Sequence, residues 1–327
     1  SARVLGVTKQ QVHRLFAGLV VMGVAAAAFA WVEKTWNLSE TWVALGYVEY
    51  LREQFGQSFP TPNGLPYTFW TEGYGFRRAG SFFLGPIDMS YAFLLIVPAT
   101  VWWYRRAGTP AARAVRLGGL ALLFTALFLG FSRAAIVAVG CQCLALAWLW
   151  RREVRRLPLR LLGLAFAVLV GLFFAYDFAN LAVRTVTFQE SSAAGHAREW
   201  RETIETIQGD LSGEGLGQGG FVGSRYRGAT GGENQYLIAA LELGVAGALL
   251  FFLVLAAAVL TGYRSWRRAR DPDIRSLTLV PLAGLGGMLL VGLTSQVFLN
   301  FFLIFLGWWL LGTALTEERG GERRTCA

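Results

Sequence analysis

"GGENQYLIAALELGVAGALLFFLV", residues 231–254, opens on Glu233, Asn234 and Gln235 and then runs on as nearly unbroken hydrocarbon. A helix rises ~1.5 Å per residue, so ~20 apolar residues cross the ~30 Å hydrocarbon core of a bilayer. Comparable windows recur near 15–32, 86–104, 115–131, 133–150, 158–176, 234–261, 276–297 and 298–315. None has the period of two of a barrel strand, and backbone amides in lipid must be satisfied within their own segment. With 54% hydrophobic residues and a mean hydropathy of +0.45, the chain reads as an all-α polytopic membrane protein of about eight spanning helices.

The net charge of +9 would suit a nucleic-acid partner in a soluble protein, but its distribution points to a membrane instead. Arginines gather in alternate connections: Arg105 to Arg116, "RREVRRLPLR" at 151–160, "YRSWRRARDPDIR" at 263–275, and Arg319, Arg323 and Arg324. The positive-inside rule makes these cytoplasmic. The expectation is a single polytopic domain over 1–327 with both ends inside and two outer connections, 33–85 and 177–232. No nucleic-acid partner is expected. The first residue is Ser1, and "SARVLGVTKQQVHR" has no signal-peptide pattern, so further helices are expected upstream. Three cysteines make no disulfide framework. Cys141 and Cys143 lie roughly 200° apart around a helix and share no ligand.

Long connections are where function concentrates. Segment 33–85 carries Trp36, Trp42, Tyr67 and Trp70, residues suited to a membrane interface. In segment 177–232, Trp200, Ile204 and Ile207 recur at helical spacing, predicting a short amphipathic helix that rests apolar side down, with Ser191 or Ser192 as its cap. The run "GEGLGQGG" that follows, 213–220, reads either as a flexible turn or as a backbone nest for phosphate.

Charges at membrane depth mark sites. Arg133, in "LFLGFSRAAIVAVG", sits between two apolar runs joined by almost no loop. It reads as a snorkelling interfacial residue or as a cation aimed into an outward-facing cavity. Arg77, Arg78, His196, Arg198 and Glu233 share its side of the membrane in this topology. Guanidinium forks match phosphate oxygens, so such a cavity suits a diphosphate. Glu242, ~13 Å further along the helix than Glu233, fits a buried structural role. Gly244 and Gly247 fit the close approach of a neighbouring helix. Gln296 and Asn300 fit either interhelical hydrogen bonds or a cavity lining.

Four motifs, "FRRAGSFFLGPIDMSYAFLL", "GFSRAAIV", "SSAAGHAREWRETIETIQGDLSGEGLGQGG" and "GGENQYLIAALELGVAGALLFFL", occur in an order that resembles the bacterial O-antigen ligase and polymerase superfamily. The resemblance covers roughly residues 75 to 315. It implies glycan transfer without metal or other cofactor, from an undecaprenyl-diphosphate-linked donor to a glycan or lipid-linked acceptor. The reaction would take place at the periplasmic face of the bacterial inner membrane, among membrane lipids. Arg133 matches the arginine of the family's "SR" motif and Arg78 the arginine before its "GxF" motif. Where many members have Gly-Arg-x-x-x-Trp, this chain has Gly195-His196-Ala197-Arg198-Glu199-Trp200, so His196 stands in the arginine's place and Arg198 is offset by two. Ligases head the late helix with His-Asn, whereas Glu233-Asn234 looks more like the polymerase form. The resemblance thus assigns Glu233, Asn234 and His196 to catalysis and Arg133, Arg198 and Arg78 to the diphosphate. A rival reading is a transporter or flippase for a lipid-linked or anionic substrate, which would also want arginines in a cavity and often shows broken helices.

Overall fold

The computed structural model of the chain describes residues 9–36, 39–56, 58–71, 76–150, 187, 191–220, 223, 232–269, 272–300 and 303–312. Their regular structure is helical, with one isolated antiparallel bridge, Trp70 to Arg77. Four helices are long and apolar enough to span a bilayer: α1 (Lys9–Thr35), α4 (Pro86–Arg105), α5 (Pro110–Gly130) and α8 (Gln235–Arg268). Shorter apolar helices match the windows near 133, 276 and 298. The expected span at 158–176 lies outside the described residues. The chain is an all-α membrane protein, and it divides into two compact units.

The unit at 14–140 is built round α4, whose residues are buried almost throughout. Pro86, in its first turn, loses no helical bond, because amides there have no intrahelical partner. Phe16 of α1 meets Trp102 of α4 edge to face at 5.3 Å, and Trp31 Nε1 donates to Thr125 Oγ1 of α5 at 2.9 Å. Gly23 permits the close approach of α1, since a Cβ there would run into Ile96. Two small helices, α2 (Ser39–Ala44) and α3 (Tyr47–Phe55), follow α1. α5 starts at a Thr109 cap, which accepts from the Ala112 amide, and stops at Phe131, held in the left-handed region at φ 48°. After that one turn α6 (Arg133–Trp150) begins.

In the other unit, α7 (Ser191–Gly209) packs on α8, and α8 packs on α9 (Pro272–Val291); α10 (Leu303–Gly312) closes the described chain. α7 starts at Ser191 itself, so both candidate capping serines are inside the first turn. Its buried contact is Thr203, whereas Ile204 is 42% exposed, so the packed face is rotated from the expected apolar stripe.

The 231–254 stretch is not one helix. At Gly244 the backbone swings to φ 69°, ψ 175°, and α8 breaks. The break leaves the carbonyls of Leu241 and Glu242 and the amide of Val245 without intrahelical partners. The segment after α7 supplies them: Glu214 N donates to Leu241 O at 2.8 Å, Gly215 N to Glu242 O at 3.1 Å, and Leu211 O accepts from Val245 N at 3.0 Å. The contact needs glycine on both sides. A Cβ on Gly244 would collide with the Ser212 carbonyl, and one on Gly213 with the Gly244 amide. The expected role of Gly244, admitting a neighbouring helix, is therefore corrected: it admits a loop.

Candidate functional site

Within the unit at 14–140, the end of α1 and the segment 76–81 form a polar cluster. Glu33 is fully buried, and its carboxylate accepts from the backbone amides of Ser81, at 2.7 Å, and Gly80. Arg77 is buried too and donates through Nη2 to the Glu33 carbonyl at 3.0 Å. Lys34 Nζ donates to the Arg77 carbonyl at 2.8 Å and lies 3.7 Å from the Phe76 ring centroid. Ser81, at φ 54°, is held in the left-handed region while its hydroxyl donates to the Ala26 carbonyl. The amide bonds and the nearby cations offset part of the cost of burying this carboxylate, while its Oε1 has no hydrogen-bond partner among the described residues.

This clamp fixes the backbone of Arg78. Its amide donates to the Phe69 carbonyl at 2.8 Å, and the next amide, Ala79, donates to the Leu129 carbonyl at 2.9 Å. Leu129 lies at the end of α5, one turn before Arg133, and the Phe76 and Phe131 rings meet at 5.5 Å. Residues far apart in sequence, Arg78 and Arg133, therefore flank one contact. Both are half-buried, and Arg133 opens α6, behind the Ser132 cap. A cation in the first turn opposes the helix dipole, by ~0.3–1 kcal/mol in typical cases. An anion placed there would be favoured by the dipole and by the arginine together.

Within the other unit, α8 starts from Asn234, whose Oδ1 accepts from the amides of Tyr236 at 2.9 Å and Leu237 at 3.2 Å. Asn234 is buried, so the structure gives it a capping role. The helix head is tied to the end of α9: Gln235 N donates to Gly292 O at 2.9 Å and Tyr236 Oη to Leu289 O at 2.6 Å. Glu233, one residue outside this anchorage, keeps an exposed surface while protein crowds the rest of its carboxyl. Loss of water raises its pKa above the ordinary carboxylate range; His196 opposes the rise and Glu199 adds to it. Gly232 lets the strand of chain lie against α7, since a Cβ there would come within 2.9 Å of Glu199 Cβ. His196 Nδ1 is buried, has no hydrogen-bond partner among the described residues, and lies 3.8 Å from Glu199 Oε2. The structure thus brings Glu233, His196 and Glu199 into one acid–base group. Arg198 points elsewhere on α7 and is exposed.

No protein-family model and no curated protein matches the chain. The local geometry therefore carries the functional reading.

The glycine run settles between its two readings. Gly213, Gly215, Gly217 and Gly220 all have positive φ, and the amides of Gly217 and Gly219 converge on one oxygen, Glu242 Oε1, at 3.0 and 3.1 Å. The nest is real, but a carboxylate of the same chain fills it. Gly220 packs directly on the Gln296 side chain, and Asn300 Oδ1 accepts from the Leu303 amide ahead of α10. Two residues were missed in the sequence, Glu33 and Glu199. Glu33-Lys34 at the end of an apolar run was a usable signal for the first. Glu199 shares a helix face with His196 at i, i+3, which the departure of that motif from the family pattern obscured.

Proposed function

We propose that the protein is a membrane glycosyltransferase of the O-antigen ligase and polymerase type, acting on an undecaprenyl-diphosphate-linked glycan at the outer face of a bacterial cytoplasmic membrane. The observation that carries this reading is the Ala79–Leu129 backbone bond, which ties the segment of Arg78 to the helix end that precedes Arg133, where a helix start also favours an anion. In the proposed reaction the acceptor hydroxyl oxygen attacks the anomeric carbon as the bond to the diphosphate oxygen breaks. Glu233 takes the hydroxyl proton, a task suited to a carboxylate whose pKa is raised. Arg78 and Arg133 hold the charge that develops on the leaving diphosphate. Asn234 holds the helix head, and His196 tunes the Glu233 charge.

The transporter reading gains a broken helix at Gly244, a feature such proteins use to bind cargo. The Leu241 and Glu242 carbonyls and the Val245 amide at that break are already paired with the loop, which favours the enzyme.

The test is transfer from a purified polyprenyl-diphosphate glycan in proteoliposomes. Glu233→Gln is expected to lower the rate ~10²–10⁴-fold, the usual contribution of a positioned base, and Arg133→Ala to weaken donor binding as well. Full transfer by both variants, or flipping of the donor without transfer, would overturn the reading.

A further inference from the structure

The break at Gly244 changes where α8 can meet the bilayer. After it, residues 245–263 carry no charge, and the first charged residue is Arg264. At ~1.5 Å per residue those residues cover ~28 Å, close to the ~30 Å hydrocarbon core. The part of α8 beyond the break therefore suffices to cross the membrane. The part before it, Gln235 to Leu243, is not needed for the crossing and carries one charged residue, Glu242, that is bound to the loop.

The loop at that level has an amphipathic surface. Asp210, Ser212 and Glu214 are exposed, and Asp210 accepts from both the amide and the hydroxyl of Ser212. Between and after them Leu211 is 62% and Leu216 76% exposed. Leu211 stands at the first residue of the crossing segment, because its carbonyl holds the Val245 amide. Leu216 follows Gly215, which is bonded to the Glu242 carbonyl. Their exposure continues along α8 through Val245, Leu249 and Leu250, the start of its long uncovered apolar face. An irregular backbone is tolerated at membrane depth only where protein satisfies it, and this loop is fastened to α8 by its own amides and carbonyls.

We propose that loop 210–217 is seated in the lipid headgroup–acyl boundary, with Leu211 and Leu216 in the acyl side and Asp210, Ser212 and Glu214 in headgroup water. The bilayer boundary opposite the Arg264–Arg268 end then runs through Gly244, not through Asn234. Phospholipid is the occupant that fits, because the two leucines extend a face that already belongs to a membrane-crossing helix, and because polar residues alternate with them as interfacial segments require.

The experiment uses the full chain with Cys141, Cys143 and Cys326 replaced by serine, reconstituted in phosphatidylcholine–phosphatidylglycerol vesicles. A nitroxide is placed in turn at Leu211→Cys, Leu216→Cys, Ser212→Cys and Glu214→Cys, with Leu249→Cys as the hydrocarbon reference. Labels at 211 and 216 are expected to collide several-fold more with oxygen than with a water-soluble nickel chelate, as at 249, and those at 212 and 214 to show the reverse. Nickel-dominated collisions at 211 and 216 would put the loop in water and overturn the proposal. Shielding of both positions from both reagents would mean that protein covers them, and would overturn it equally. Position 216, where no backbone bond to α8 is made, decides the matter should the label at 211 disturb the fold.

Discussion

Glu233 and Glu242 belong to the same short stretch of chain, yet their surroundings differ in what completes them. Glu242 is completed by the protein: one oxygen takes the Gly217 and Gly219 amides, and the helix break beside it is closed by the loop. Glu233 is left with a crowded but accessible carboxyl, near a histidine and another carboxylate, and with a raised affinity for its proton. A carboxylate whose acceptor capacity is used by backbone amides serves the fold. One that is crowded yet reachable is free to exchange a proton with something else. The difference teaches that rank along a motif says little, and that neighbouring glycines decide which acid is structural.

The sharpest way to break this contrast is Gly244→Ala. The left-handed backbone there suits glycine, and the added methyl meets the Ser212 carbonyl. A loss of ~3–5 kcal/mol is expected, the range reserved for strain combined with a lost network, read as a large fall in thermal stability in detergent. Glu242→Ala comes next. It strands two amides and is expected to cost ~2–3 kcal/mol, with Glu242→Gln about half as harmful because an amide oxygen still accepts. If Glu242→Ala leaves stability unchanged, the distinction between the two acids fails.

Asn234→Ala is expected to cost ~1 kcal/mol, the worth of a helix cap, and Asn234→Asp to restore most of it. A loss of transfer activity in Asn234→Asp at full stability would show that the residue does more than cap. The smallest effect concerns proton affinity. In the proposed reaction a base at Glu233 would work only when deprotonated, so its raised pKa predicts an acid limb of the rate above the ordinary carboxylate range. Glu199→Gln removes a like charge and is expected to move that limb to lower pH, and His196→Gln to move it higher. The carbon-13 shift of a labelled Glu233 carboxyl checks both directions without any assay of turnover.

Much of the helical fold was legible in the apolar windows, because lipid-length runs state their own secondary structure. The break in α8 was not, since "LELGVAG" looks the same whether its glycines admit a helix or a loop, and only the tertiary contact of Ser212 with Gly244 separates them. Arg78 and Arg133 were legible as odd charges at the ends of apolar runs. The backbone bond that ties their two segments was not, because residues 77–81 are held by Glu33, hidden inside what looked like the first residues of a connection. Glu199 was passed over in the sequence, and its nearness to Glu233 follows only from the close passage at Gly232.

The repair of α8 also has a direction in time. Chains are made from the N-terminus, so residues 211–215, which carry the two amides and the carbonyl that close the break, exist before Gly244 does. When the interrupted helix is threaded into the bilayer, its mending piece has already been synthesised and waits on the upstream side. A circular permutation that placed 191–220 after α8 would keep every contact and reverse that order, leaving the newly inserted helix open at Gly244 until the rest of the chain caught up.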